Sequence, residues 1–225
     1  MIEQLHRDLW SVRKPQRFLG AEIGTRMTVI RLKDGGLWIH SPIPFEQSIR
    51  CELDAYGPVR FIIAPNRFHH LYVGPCAGAF PEAKVFGAPD LERKRRDLRF
   101  DAILDDAPPA EWAGQIDQLI FRAFPPLNEV IFFHRATRTL VLTDLLFNIR
   151  SSDSVWTRFL MTLDGGLGRA AVARSFRLLI KMRREQAQAA IERILSWDFD
   201  RILLAHGEAV EKDARRVFSD AWSFL

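Results

Sequence analysis

Phe61-Ile62-Ile63-Ala64-Pro65-Asn66-Arg67-Phe68-His69-His70 begins as an apolar run and ends on two adjacent histidines. A short run with β-branched residues suits a strand buried on both faces, and the proline that closes it passes the chain into a loop at the strand's edge. Two later stretches have the same form. Thr139-Leu140-Val141-Leu142-Thr143-Asp144 delivers an aspartate at the end of a strand, and Arg201-Ile202-Leu203-Leu204-Ala205-His206-Gly207 delivers a histidine before a glycine. Alone, a strand-terminal Asp is often a turn former, and a strand-terminal His is often a hydrogen-bonded surface residue. Together, three histidines and one aspartate supply a full set of ligands for one Zn, Fe or Mn ion.

Outward from these stretches the chain alternates strand and helix. Residues 27–32 and 37–40 flank Lys33-Asp34-Gly35-Gly36 and read as a hairpin. Ser41-Pro42-Ile43-Pro44 breaks the second strand, and residues 46–56 carry Ile49, Leu53 and Tyr56 at helical spacing before Gly57-Pro58 ends them. Residues 71–80 read as a helix despite Pro75, and 83–87 as the strand after it. Residues 118–124, 129–134 and 139–143 form a meander of short strands. A charged, mostly helical insertion at about 150–184 precedes a last unit of helix 185–197, strand 201–205 and closing helix 209–225.

With 225 residues and 48% hydrophobic content, the chain is expected to fold as a single domain, 1–225. No apolar run approaches the roughly 18–20 residues of a membrane span, and MIEQLHRDLW lacks the order of a signal peptide, so a cytoplasmic location is the default. Cys51 and Cys76 have no CxxC spacing and are expected as buried small hydrophobes. The net charge of +4 is modest and concentrated in residues 92–99 and 169–184, without a stacking platform, which argues against a nucleic-acid partner. In the insertion, Val155, Trp156, Phe159 and Leu160 meet Arg174, Arg177, Lys181, Arg183 and Arg184. A cationic amphipathic helix can lie on anionic lipid, but the preferred reading is a lid over a cleft or a face against a second copy of the chain.

The order of segments resembles the metallo-β-lactamase superfamily over nearly the whole chain, which implies an α/β fold of αββα sandwich type. In that family an apolar strand runs into H-x-H-x-D-H, later strands end in Asp and in Gly-His or similar, and loops from both halves hold two metals. Here Pro65 to His70 matches the first motif, Val141 to Asp144 the strand bearing the bridging Asp, and Leu203 to Gly207 the last ligand segment. The phrases Ala-Pro-Asn-Arg-Phe-His-His and Leu-Asn-Glu-Val-Ile-Phe-Phe-His resemble most closely a domain family of unknown function within that superfamily.

The departures fall on one half of the site. Pro65 and Arg67 stand where the family's first two histidines belong, and the third falls on or near Pro125; none of these side chains replaces an imidazole. The resemblance therefore implies that the first metal position is lost. The second keeps His69, His70, Asp144 and His206, and loss confined to one metal argues for remodelling over decay. Arg67 is expected to fill the vacated space, pairing with Asp144 or binding an anionic substrate group. Glu129 and His134 are candidate extra ligands or partners of ligands.

Two functions remain open. One is a hydrolase with at most one divalent metal (Zn or Fe), with His69 and Asp144 catalytic, acting on an ester, amide, thioester or phosphoester of an unidentified small molecule. Four protein ligands would close a tetrahedral site, so this reading needs one of them to detach or the ion to expand. The other is a metal-free module for binding or interaction.

Overall fold

Side-chain alternation along the strands decides how the layers of this protein stack. The computed structural model describes residues 2–225. One sheet contains β1 (Glu3–His6), β2 (Leu9–Lys14), β5 (Thr25–Arg31), β6 (Leu37–His40), β7 (Val59–Ala64), β8 (Lys84–Gly87) and β9 (Ala102–Ile103) in that spatial order. It is antiparallel as far as β6 and parallel beyond. A separate short hairpin, β3 (Arg17–Phe18) with β4 (Ala21–Glu22), projects between β2 and β5. The second sheet is β10 (Ile116–Ile120), β11 (Val130–His134), β12 (Thr139–Leu142) and β13 (Arg201–Leu204), with β13 parallel to β12.

Trp38, Phe61 and Ile63 from the first sheet meet Phe132, Val141 and Leu203 from the second in one core between the sheets. Their alternate neighbours point outward, as a period of two requires. Ile39 and Ile62 pack with Ile49 and Leu53 of α1 (Gln47–Tyr56), Cys76 of α2 (Val73–Ala79) and Leu91 of α3 (Leu91–Lys94). On the far side, Leu140, Leu142 and Ile202 pack with Ile180 of α5 (Arg174–Lys181), Ile191 of α6 (Arg184–Leu195) and Phe218 of α7 (Ala214–Ala221). These four layers are the αββα sandwich. The remaining helix, α4 (Val155–Leu163), packs on β4 and is capped by the Ser154 hydroxyl accepting from the Thr157 N–H.

Most expected elements lie where the sequence placed them, and Pro75 is tolerated because it falls in the first turn of α2. Four expectations are corrected. β1 and β2 were not foreseen: β1 is an edge strand whose Glu3, Gln4 and His6 break the apolar signal. β10 lies earlier than the expected 118–124, at Ile116–Ile120, and residues 121–124 belong to the loop that follows it. The closing helix is shorter than 209–225, because Val210 instead bridges to Ile202 beside β13. Cys51 is exposed on α1, whereas Cys76 is buried. No helix among the described residues is long and apolar enough to cross a membrane.

His40, at the end of β6, is buried between Trp38 and Phe132, with ring centroids 5.7 and 5.5 Å away. Burial first, then the nearby His69, pushes its pKa down to about 3 from an ordinary 6.5. The unfolded chain takes up a proton below about pH 6.5 and the folded chain does not, so this stability is complete above pH 6.5 and declines as the pH falls toward 3. His40→Leu is expected to flatten the dependence of urea-unfolding stability on pH between 6.5 and 4 by about one proton, roughly a factor of ten in the folding constant per pH unit. Equal slopes for the two proteins would contradict this.

Candidate metal centre

Parallel pairing brings chain exits to the same edge of a sheet. Leu142 of β12 pairs with Leu204 of β13, and Asp144 and His206 each stand two residues further on. Across the sandwich, β6 and β7 are also parallel, so Ser41 leaves β6 beside the exit of β7 that leads to His69; the Ser41 N–H donates to Ile63 at 3.0 Å. Three of the expected residues meet. The ligand atoms of His69, Asp144 and His206 lie within 4.8 Å of one another. His69 Nε2 is 3.1 Å from His206 Nε2 and 3.4 Å from Asp144 Oδ2, and His206 Nε2 is 3.0 Å from Asp144 Oδ1. Donors held at 2.0–2.1 Å from one tetrahedral centre are separated by about 3.3–3.4 Å, so this triangle is nearly of the required size.

The outer nitrogens fix the inner ones. His206 Nδ1 is 2.7 Å from the Gly24 carbonyl, which can only accept, so the proton sits on Nδ1 and the neutral ring presents a lone pair at Nε2. His69 Nδ1 is 2.7 Å from the Ser41 hydroxyl, which can accept in the same way. Two imidazole nitrogens 3.1 Å apart, with a carboxylate beside both, do not face one another as bare lone pairs: a ring proton or a metal lies between them. Outer-nitrogen partners of this kind are the usual support of metal-bound histidines.

Other groups hold the triangle in place. Asn66 is the pivot: its carbonyl oxygen accepts the N–H groups of Phe68 and His69, both at 2.7 Å, which turns the loop that carries His69. Its amide donates to Asp144 Oδ2 at 2.6 Å and to Thr143 Oγ1 at 2.7 Å. Glu129, fully buried, accepts the backbone N–H groups of Thr143, Asp144 and Leu145 at 2.6, 2.8 and 3.1 Å. Burial first, then the charge of Asp144, raises its pKa to about 7. Burial also disfavours charge on Asp144, but the imidazoles of His69 and His206 outweigh it and hold that carboxyl well below the usual range.

On the other side, the buried guanidinium of Arg26 donates to the carbonyls of Leu204 and Gly207 and to Ser11 Oγ, each at 3.0 Å, pinning the turn that carries His206. Burial lowers its pKa to about 10, which leaves it charged at neutral pH. Gly207 in that turn has φ +91°, and a Cβ there would collide with the Asn148 carbonyl.

The four-ligand set expected from the sequence contracts to three. His70 follows His69 directly and is turned elsewhere, its Nδ1 held 2.8 Å from Arg95 Nη1. Burial first, then Lys94 and Arg95, lowers its pKa to about 4. The expected Arg67–Asp144 pair is not formed: the Asn66 amide faces that carboxylate, and Arg67 Nε is buried without a hydrogen-bond partner. Nor does Arg67 line the cavity over the centre, although Lys94, which donates to the Arg67 carbonyl at 2.6 Å, does. His134 sits at the opposite end of antiparallel β11, bonded through Nδ1 to Thr137 Oγ1 at 2.7 Å. Glu129, expected as a ligand or a partner of ligands, acts on the backbone around Asp144.

A family model described as "Domain of unknown function (DUF4336)" matches residues 6–166, well over half of the chain. The chain belongs to this family. No curated protein matches it in sequence. Among solved structures, this DUF4336 chain is similar to the DIM-1 metallo-β-lactamase, at 12% identity and a TM-score of 0.69, covering 100% of this chain and 96% of that one. It is also similar to the mono-zinc form of the metallo-β-lactamase FIM-1 from Pseudomonas aeruginosa, at 8% identity and a TM-score of 0.65, covering 100% and 95%. The Flv1 flavodiiron core from Synechocystis sp. PCC6803 gives 12% identity and a TM-score of 0.69, covering 100% of this chain and 60% of that one. At these identities the likeness establishes the fold alone, which is that of the metallo-β-lactamases.

The supports make testable demands. Glu129→Gln replaces an oxygen facing backbone N–H groups with an amide that donates, and is expected to lower stability by about 2 kcal/mol in urea unfolding. Arg26→Met leaves two carbonyls unpaired and is expected to cost about 2–3 kcal/mol. Wild-type midpoints in both variants would refute these assignments.

Proposed function

We propose that the protein is a hydrolase of the metallo-β-lactamase fold with a single-metal centre, in which His69, Asp144 and His206 hold one divalent ion, zinc or iron. The triangle of ligand atoms at 3.0–3.4 Å, with both outer imidazole nitrogens tied back, carries this reading. Two histidines and a carboxylate are a ligand set of both zinc hydrolases and non-haem iron sites. Because His70 is turned away, three protein ligands leave a fourth position open, which a closed set of four would not. When bound, such an ion supplies a nucleophilic hydroxide at neutral pH and polarises the bond to be broken.

The chain's own residues have separate tasks. Asp144 stays ionised and supplies the negative charge between the imidazoles. Asn66, Glu129 and the Gly24 carbonyl fix orientations, so no ligand needs to reorganise during turnover. Phe147 stacks on the His206 ring, with centroids 5.1 Å apart and planes 10° apart, and keeps water from that face. His70, neutral above about pH 4, lines the cavity without competing for a proton. The substrate bond is an ester, amide, thioester or phosphoester.

One observation favours the alternative, a metal-free binding module: 3.0 Å from His206 Nε2 to Asp144 Oδ1 is also the length of an imidazolium–carboxylate bond. Metal content decides between them. Protein purified without added metal is expected to carry about one equivalent of zinc or iron, and His206→Ala and Asp144→Asn each to lose it. Metal at background level in the folded wild-type protein would leave the module.

A further inference from the structure

The centre lies at the floor of a cavity of about 940 Å³, near the top of the roughly 300–1,000 Å³ range of small-molecule sites. Its walls come from three separate parts of the chain: Phe18 and Leu19 of the β3–β4 hairpin, Phe68 and Leu71 of the histidine loop, and Leu160 and Phe176 of α4 and α5. A compact polar substrate would leave most of this volume and nearly all of this apolar surface unused. Several wall residues, Phe18, Leu19, Phe68 and Leu71 among them, are exposed although large and apolar, and burying each against a ligand would release ordinary hydrophobic free energy.

Charge is arranged asymmetrically on the same lining. Arg17 is paired with Glu22 at 2.6 Å, but Lys94 and Arg174 have no carboxylate within ion-pair distance among the described residues. Lys94 Nζ lies 5.1 Å from the Phe68 ring centroid, and Arg174 donates to the Leu163 carbonyl at 3.0 Å. The neighbouring Arg67 adds positive charge beside Lys94, while Arg95 is paired with Asp97 at 2.7 Å. The lining also carries two carboxylates, but Asp144 is bonded to His206 and Asn66, and Asp164 to Ser175, so apolar walls with Lys94 and Arg174 free of carboxylate partners describe an amphipathic ligand that is negative at its polar end.

We infer that this cavity binds the long acyl chain of an anionic carboxylic acid derivative, the chain against the apolar walls and the carboxyl end toward the His69–Asp144–His206 floor and the Lys94 and Arg174 cations. As the acid released when water cleaves an acyl ester, amide or thioester it rests on the hydrolase reading, whereas the binding itself is measured without turnover. The full chain is titrated calorimetrically with dodecanoate, with butanoate, and with dodecyltrimethylammonium, which keeps the tail and reverses the head. Dodecanoate is expected to bind at least about a hundredfold more tightly than butanoate, given the burial of several extra methylenes, and about tenfold more tightly than the cationic tail.

Leu163→Glu puts a carboxylate on the exposed part of the lining and is expected to weaken dodecanoate about tenfold, while Met161→Trp tests the same volume by filling it. Lys94→Glu is expected to remove the preference for the anionic head. Equal affinity for dodecanoate and butanoate, or dodecanoate binding unchanged in both Leu163→Glu and Met161→Trp, would overturn the inference. Metal content measured on the same preparation separates the two readings: metal without dodecanoate binding removes the acyl site and leaves the hydrolase, and dodecanoate binding without metal does the reverse.

Discussion

The contact between His206 and Gly24 ties the two halves of the sandwich together at the point where chemistry is proposed. His206 comes from the second sheet and Gly24 from the turn before β5 of the first. One 2.7 Å hydrogen bond therefore sets the ring's tautomer and stitches the sheets at their common edge. His69 repeats the arrangement from the other side, reaching from the loop after β7 to Asp144 and His206 while its outer nitrogen rests on Ser41. Arg26 adds a second stitch by carrying a buried cation from β5 to the carbonyls at the end of β13. Three close-set polar side chains that would be costly to assemble in a flexible chain are thus held by groups whose positions the sheets already fix.

Legibility in the sequence followed the physics of each signal. Strands β6, β7, β12 and β13 could be read because apolar runs of four to six residues between turn signals have few other solutions. Their shared direction then put Asp144 and His206 side by side, so the strand-end pattern was enough to nominate them. His70 was nominated with equal reason and turned away, because adjacent residues in a loop do not share a direction and the Arg95 that holds it is remote in sequence. Asn66 was passed over although an Asn after a strand-ending proline is a natural loop former; its value lies in facing Asp144 across the sandwich, a long-range fact. Ser41, Gly24 and Arg26 gave no local sign, since backbone carbonyls and lone hydroxyls carry no pattern.

Arg67 does not reach the Asp144 carboxylate; the neighbouring Asn66 does. An amide now faces the carboxylate, which suits a crowded buried position better than a second full charge: Asn66 donates to Asp144 and Thr143 and accepts from two backbone N–H groups, satisfying both ends of its side chain. The cation nearest this part of the molecule that lines the apolar cavity is Lys94, with Arg67 and the Asp97-paired Arg95 close to it. The His69–Asp144–His206 triangle and the apolar cavity lined by the β3–β4 hairpin, α4 and α5 share one opening, so the proposed chemistry and the proposed acyl site are adjoining.

Diffraction from crystals soaked in zinc, recorded above and below the zinc absorption edge, locates any ion held by these side chains. One anomalous peak is expected about 2.0–2.1 Å from His69 Nε2, His206 Nε2 and an Asp144 oxygen, with His70 still on Arg95. A peak bound through His70, or no peak among these three side chains in a folded crystal, would contradict it.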